Sequence, residues 1–205
     1  MSLSLWLGFL AAAILIAVSP GPGAAASMSA GLRYGYWAAL RLILGLQCAL
    51  LIQITVVAAG LGALLETSAL AFDVVKLCGA AYLIWLGVQK WRARPAAIDD
   101  DAPRLTQRGL FIEGLLVNLT NPKAIVFIAA LTPQFVDPAR PQALQFLIIG
   151  LTMCSVDTLV MSCYALLATR LARWLHAPRA WRAQNRLFGG IFVGAGVLLA
   201  SSGHY

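Results

Sequence analysis

A lysine lies inside an apolar stretch of this chain, one residue after an Asn-Pro pair. Residues 110–131 are long enough to cross a bilayer, and Asn118, Asn121, Pro122 and Lys123 fall near the middle of them. A lysine at that depth costs about 2.5–3.5 kcal/mol on insertion scales. The proline also leaves a backbone carbonyl that lipid cannot satisfy. The pattern therefore predicts an interrupted helix surrounded by protein or by a water-filled cavity.

A second interruption, Ser19-Pro20-Gly21-Pro22-Gly23, breaks the first apolar stretch. Prolines remove amide donors and glycines let the backbone leave the helix, so we expect exposed carbonyls before the break and exposed amides after it. Such amides attract a carboxylate and such carbonyls attract an ammonium group. An α-amino acid carries both groups. A kink that only shapes helix packing is the alternative.

An aspartate, Asp157, lies in the middle of a third apolar stretch. Its carboxyl group could carry a coupling proton, hold a substrate ammonium or pair with Lys123, and a purely structural ion pair is the alternative. Gln47, together with Asn118 and Asn121, could hydrogen-bond a substrate or hold helices together.

No metal site or cofactor is expected from the spacing of potential ligands. The four cysteines fall within apolar runs without CxxC spacing, and this pattern is typical of small buried residues. Walker, HExxH and GxSxG motifs are absent from the sequence, which argues against an ATP-driven pump, a metalloprotease and a hydrolase.

The elements that must position these residues are membrane-spanning helices. The 205 residues are 60% hydrophobic and 11% charged, with a mean hydropathy of +0.82, whereas soluble domains are about 25% charged. We therefore predict an all-α membrane protein forming one transmembrane domain, 1–205. Windows of about 19 residues find six spans, at approximately 3–28, 38–63, 70–90, 109–132, 142–169 and 187–203, with the first and fourth interrupted.

The basic residues indicate the orientation of these spans. Of the 15 Lys and Arg residues, all but Lys76, Lys123 and Arg140 fall in the loops after spans one, three and five. The positive-inside rule then predicts cytoplasmic basic loops and both termini outside. This distribution explains the net charge of +7 without a nucleic-acid partner.

The two halves of the chain resemble each other. Ser19-Pro20 matches Asn121-Pro122, and Gly45-Leu46 matches Gly150-Leu151. We predict repeat 1 over about 1–92, a cytoplasmic linker over about 92–108 and repeat 2 over about 109–205. Because each half has an odd number of spans, the two repeats must be inverted. Interrupted helices at matching places in inverted halves are typical of secondary transporters with a site near the midplane.

The sequence also resembles the LysE/RhtB family of amino-acid exporters over essentially its full length. Residues 19–23, 79–87 and 118–124 are similar to the family's motifs in the first, third and fourth helices. The segment 121–135 and the Val156-Asp157 pair look closest to the homoserine/homoserine lactone efflux branch. The resemblance implies export from the cytoplasm across a bacterial inner membrane, driven by the proton gradient, and no enzymatic activity.

We therefore expect efflux of small neutral amino acids, with homoserine and its lactone favoured and threonine as a further candidate. Export of another amino acid such as lysine or leucine is the alternative, and a membrane-embedded enzyme is a rival class. The expected partners are the substrate and the bilayer, and the sequence neither predicts nor excludes a homo-oligomer. Asp157 is the candidate proton carrier. The predicted substrate-binding residues are Ser19, Pro20, Gly21, Pro22, Gly23, Gln47, Asn118, Asn121, Pro122, Lys123 and Asp157.

Overall fold

The structure, a computed structural model, describes residues 1–67, 105–137 and 139–175, with isolated positions between 77 and 92 and between 186 and 201. The described part of the chain is helical, without strands. We number its helices α1 (Leu3–Val18), α2 (Pro22–Tyr34), α3 (Tyr36–Thr67), α4 (Gln107–Leu119), α5 (Pro122–Val126) and α6 (Gln142–Leu175). A π-helical turn, Phe127–Leu131, and a 3-10 turn, Thr132–Phe135, follow α5.

The first predicted interruption separates α1 from α2. Ser2 caps the start of α1 by accepting a hydrogen bond from the Leu5 N–H at 3.2 Å. The helix ends at Val18, and the chain then extends through Gly21 at φ −150°. Pro22 occupies the first turn of α2, where its missing N–H is tolerated. The axes of α1 and α2 differ by 55°.

The second predicted interruption separates α4 from α5, and the segment Pro122–Phe135 that begins with α5 differs in direction from α4 by 51°. Thr106 caps α4 by accepting a hydrogen bond from the Gly109 N–H at 3.1 Å. The helix ends at Leu119. Asn121 lies just before α5 and caps it, because its side chain accepts a hydrogen bond from the Lys123 N–H. Pro122 begins α5 as Pro22 begins α2.

Within the described ranges, two unbroken helices are long and apolar enough to cross a membrane, over Tyr36–Gly60 in α3 and Gln142–Ala168 in α6. The count rises to four if each bent pair is one span. The predicted spans 70–90 and 187–203 and most of the linker 92–108 lie outside the described residues, apart from isolated helical positions. Trp91 and Arg186 are among these, and the Trp91 indole N–H donates to the Arg186 carbonyl at 3.0 Å.

The first predicted span continues further than the apolar pattern indicated. Its second segment reaches Tyr34 rather than residue 28, and it ends at Gly35 with φ 81°. Glycine adopts this conformation without a Cβ penalty, so it stops the helix there. The α6 helix likewise continues past the apolar segment predicted to end at residue 169, up to Leu175.

The α3 and α4 helices cross with their backbones in close contact. A Cβ built on Gly45 would overlap the Phe111 carbonyl oxygen, and one built on Gly114 would overlap the Leu42 carbonyl oxygen. Glycine at both positions therefore lets the two backbones touch, as at close crossings in membrane helix bundles. This crossing holds α4, which leads into the second interruption, directly against α3.

Two apolar clusters fill the interior. The first includes Ile16 of α1 and Met153 of α6, and the second includes Ala24 of α2 and Met161 of α6. Both clusters also draw on α3. The first interruption passes from one cluster to the other, so the polar backbone of the break lies where the two clusters meet.

Candidate functional site

The Lys123 ammonium joins the two interruptions. Its Nζ donates to the Ser19 carbonyl oxygen at 2.7 Å and to the Ile16 carbonyl oxygen at 2.9 Å, across 104 and 107 residues of sequence. These carbonyls lie at the C-terminal end of α1, where the helix dipole favours a cation. The lysine predicted to lie within the membrane therefore has its charge stabilised by the end of another helix.

The two prolines of the first interruption explain why its carbonyls need outside donors. In a helix the Ile16 carbonyl would accept from the N–H of residue 20 and the Val18 carbonyl from that of residue 22, but Pro20 and Pro22 have no N–H. Lys123 donates to the Ile16 carbonyl. The Tyr164 hydroxyl of α6 donates to the Val18 carbonyl at 2.8 Å. Side chains from the second half of the sequence thus replace both missing donors.

Buried amide side chains support the second interruption. The Asn121 side-chain oxygen accepts from the Lys123 backbone N–H at 3.1 Å, and its Nδ2 donates to the Asn118 Oδ1 at 3.2 Å. The Asn118 Nδ2 donates to the Leu46 carbonyl at 2.8 Å, and the Gln53 Nε2 donates to the Asn118 carbonyl at 2.9 Å. Both asparagines are 4% exposed. The loop that presents Lys123 is therefore fixed to α3.

Asp157 is held by a glutamine from the other long helix. The Gln47 Nε2 donates to the Asp157 Oδ2 at 2.8 Å. Gln47 lies about 17–20 Å along the helix from either end of the apolar segment Tyr36–Gly60, at 1.5 Å per residue. The bond therefore joins α3 and α6 near the middle of their apolar lengths.

These groups border a small cavity. Asn118, Asn121, Lys123 and Asp157 form its polar wall, and Gly23 contributes from the first turn of α2. Apolar side chains from both clusters complete the wall, among them those of Ile16, Leu46, Met153 and Met161. The cavity volume is about 20 Å³, enough for about one water molecule. A larger ligand requires the groups around the cavity to rearrange.

The sequence profile of LysE type translocators matches residues 14–203. The chain belongs to the LysE type translocator family. It is 48% identical over 206 residues to the homoserine/homoserine lactone efflux protein of Salmonella typhimurium, covering 100% of both chains. It is 45% identical to an uncharacterized membrane protein of Vibrio cholerae, covering 98% of this chain and 99% of that protein. A leucine efflux protein of Klebsiella pneumoniae is 29% identical over 96% of this chain and 94% of its own length. No solved structure matches the chain.

The resemblance drawn from the Pro-rich motifs is thus confirmed at the level of the family, and the translocator is a helical membrane protein. The predicted site residues of the translocator fall into three groups. Gly23, Asn118, Asn121, Lys123 and Asp157 border the cavity.

The second group supports that wall from behind. Ser19 is fully buried and offers its carbonyl to Lys123, and Pro20 is buried beside it. Gly21 lies against the lysine, since a Cβ there would be 3.2 Å from Nζ. Gln47 holds Asp157.

Pro22 and Pro122 form the third group. Both are exposed, and neither borders the cavity. Each occupies the first position of a helix. The structure therefore assigns these prolines to the geometry of the breaks rather than to contact with a ligand in the cavity.

Tyr164, a contact of the first interruption, was not predicted from the sequence. Its position, two helical turns after Asp157, places it on the same face of α6. The two-turn spacing from Asp157 was the feature of the sequence that could have identified Tyr164. Among the described residues, no group of three His, Cys, Asp or Glu side chains could hold a metal ion.

Proposed function

We propose that this translocator exports homoserine and homoserine lactone from the cytoplasm through a site between the two helix interruptions. The observation that carries transport is the Lys123 contact with the Ile16 and Ser19 carbonyls, because it brings both broken helices to one small polar cavity. The substrate class rests on the full-length similarity to the Salmonella typhimurium protein named for that efflux.

The proposed architecture has six spans in a bacterial inner membrane, arranged as inverted repeats with both termini outside. Two contacts support it. The Leu105 N–H donates to the Tyr34 hydroxyl at 2.8 Å, which puts the start of span four beside the end of span one. The contact between Trp91 and Arg186 likewise joins the end of span three to the start of span six. Both pairs belong to the face that the basic loops assign to the cytoplasm.

In the proposed site, the substrate ammonium binds among the carbonyls at the end of α1 and the Asp157 carboxyl group. A substrate carboxylate binds the free amides of the first turn of α2, where Gly23 borders the cavity. A lactone lacks that carboxylate, so a site that accepts both ligands cannot depend on a partner of the carboxylate, Lys123 included, for affinity. The apolar wall that includes Met153 and Met161 accommodates the short carbon chain.

Export is proposed to be coupled to proton uptake through Asp157. The carboxyl group borders the cavity and accepts a hydrogen bond from Gln47. Protonation from the outside would weaken its hold on a substrate ammonium and release the substrate, which is antiport. An Asp157→Asn variant should therefore lose gradient-driven efflux in vesicles, and full gradient-driven efflux by that variant would contradict the proton role.

The experiment that tests the function compares efflux in everted vesicles with and without the expressed chain. Labelled homoserine, homoserine lactone, threonine, lysine and leucine are supplied under an imposed proton gradient. We expect gradient-dependent transport of homoserine and its lactone above the empty-vesicle background. Arg140→Met, which removes an exposed cation ion-paired with Asp137 at 3.1 Å, serves as a surface control.

Leucine is the second candidate substrate. The Klebsiella pneumoniae relative is named for leucine efflux, and the apolar part of the cavity wall would suit a leucine side chain. Transport of leucine but not homoserine would replace the proposed substrate. Product formation from any of these compounds in detergent, without a gradient, would instead indicate an enzyme.

A further inference from the structure

The carbonyls of Ile16 and Ser19 form a cation site that is built into the first interruption. Because Pro20 lacks an N–H, the Ile16 carbonyl has no donor from its own helix. The Ser19 carbonyl lies beyond the last residue of α1 and points to the same ammonium. Both oxygens lie at the negative end of the α1 dipole, so this position selects a compact positive group with several N–H donors.

The lysine ammonium and the α-ammonium of an amino acid are the same chemical group. Both carry a unit charge and several N–H donors on a tetrahedral nitrogen. Lys123 places this group 2.7 and 2.9 Å from the two carbonyl oxygens. A substrate ammonium cannot occupy the same position at the same time, because two cations would share one pair of acceptors.

We infer that Lys123 is a tethered competitor of the substrate's α-ammonium for the Ile16 and Ser19 carbonyls. This inference rests on the proposed function and deepens it. Substrate binding displaces the lysine ammonium, and return of the ammonium expels the substrate. The lysine thus limits affinity and promotes release, whereas a lysine that binds the substrate carboxylate would raise affinity.

The structure supplies a place for the displaced ammonium. Asp157 and Lys123 border the same cavity, so the lysine side chain can turn from the α1 carbonyls towards the carboxylate. The Asn121 cap holds the backbone of residue 123 by its N–H, so the backbone need not move with the side chain. The cavity holds about one water molecule, so rearrangement around Lys123 must accompany the binding of an amino acid.

The test measures ligand affinity for the purified full chain and for Lys123→Met, which keeps a side chain of similar length without the charge. The ligands are L-homoserine, L-homoserine lactone and N-acetyl-L-homoserine lactone, which lacks a free ammonium group. We expect homoserine and its lactone to bind about tenfold more tightly to Lys123→Met, because they no longer have to displace the charged lysine from the two carbonyls. A hydrogen bond to a charged group is more stable than a neutral one by about 1.4 kcal/mol, which corresponds to that factor in affinity. The N-acetyl lactone should bind wild type and variant equally. Vesicle efflux by the variant should be slower than by the wild type, because release loses its competitor.

Two results would overturn the inference. Weaker binding of homoserine with unchanged binding of the lactone would show that Lys123 binds the carboxylate. Unchanged affinity for both would show that the lysine ammonium and the substrate do not compete. Arg140→Met removes an exposed cation that does not border the cavity and should leave all three affinities unchanged.

A folding defect and a wrong substrate are distinguishable from these outcomes. Monodispersity in detergent reports folding, and Lys123→Gln, which keeps a neutral donor, provides a second variant with the same expected direction and a smaller change. If wild type neither binds nor exports homoserine or its lactone, the proposed function fails. If wild type does both and neither lysine variant binds homoserine more tightly, this inference alone fails.

Discussion

The two helix interruptions differ in how much their own side chains contribute to satisfying the backbone. The first, between α1 and α2, has no side-chain cap at the start of α2, and its carbonyls receive donors from Lys123 and Tyr164 in the other half of the chain. The second, between α4 and α5, combines its own side chains with a donor from α3: Asn121 caps α5 and is bonded to Asn118, and Gln53 donates to the Asn118 carbonyl. One break exposes acceptors, and the other presents a fixed donor.

This difference indicates which part of the site is expected to change during transport. Bonds within the second interruption and to α3 hold the base of Lys123 in place. Bonds to the first interruption come from two long side chains, which can leave without disturbing the helix that carries them. We therefore expect ligand-dependent change at the first interruption and a constant structure at the second.

The largest expected effect comes from the helix crossing that anchors the second interruption. Gly114→Ala would drive a Cβ into the Leu42 carbonyl oxygen of α3, and a backbone atom cannot move aside as a side chain can. We expect the free energy of unfolding to fall by about 3 kcal/mol or more, at the upper end of overpacking costs. The measurement is a lower unfolding temperature in detergent. Gly60→Ala in α3 is the control, because a Cβ there meets no atom within 4 Å. Equal unfolding temperatures for the two variants would contradict the close crossing.

The next-largest change in stability is expected from side chains at the two interruptions, which two variants compare directly. Asn118→Ala removes the donor to the Leu46 carbonyl and the acceptor of the Asn121 amide. We therefore expect the free energy of unfolding to fall by about 1–3 kcal/mol. Ser19→Ala removes a buried hydroxyl that has no hydrogen-bond partner among the described residues, so a change within about 0.5 kcal/mol is expected. Unfolding temperatures of both variants provide the measurement. If Ser19→Ala lost more stability than Asn118→Ala, side chains would stabilise the first interruption more than the second.

A smaller effect is expected at Tyr164. Tyr164→Phe removes the donor to the Val18 carbonyl, and a single hydrogen bond contributes about 0.5–1.5 kcal/mol. Homoserine efflux should also change, because the hydroxyl supports the first interruption. The matched control is Tyr36→Phe at the start of α3, away from the break. If both variants behave like wild type in unfolding and efflux, the hydroxyl does not support the first interruption.

The smallest effect is expected at Thr120, which lies in the second interruption itself. Its hydroxyl donates to the Leu116 carbonyl of its own helix at 2.8 Å and is exposed. Thr120→Val should therefore change stability by no more than about 0.5 kcal/mol and leave homoserine efflux intact. A clear loss of efflux in vesicles would contradict a purely local role for the Thr120 hydroxyl.

The sequence predicted the positions of both breaks because proline acts locally. Pro20, Pro22 and Pro122 lack an N–H wherever the chain folds, so the helices must end beside them. The continuation of α2 to Tyr34 was not predicted. The apolar pattern ends before the helix does, and it is Gly35 that terminates it.

Residue types alone also predicted Lys123 and Asp157 as intramembrane groups, since a charge within an apolar span needs a partner. They did not identify the partners. That Lys123 bonds the Ile16 and Ser19 carbonyls, and that Gln47 bonds Asp157, depends on contacts across more than 100 residues of sequence.

Sequence by itself thus determined the helical membrane class, the two breaks and the family, because hydropathy and proline chemistry are properties of neighbouring residues. Tertiary structure alone decided that the carbonyls freed by Pro20 and Pro22 are satisfied by Lys123 and Tyr164. A hydrogen bond depends on where two groups lie in space, and helix packing, through contacts such as that between Gly114 and Leu42, fixes those positions.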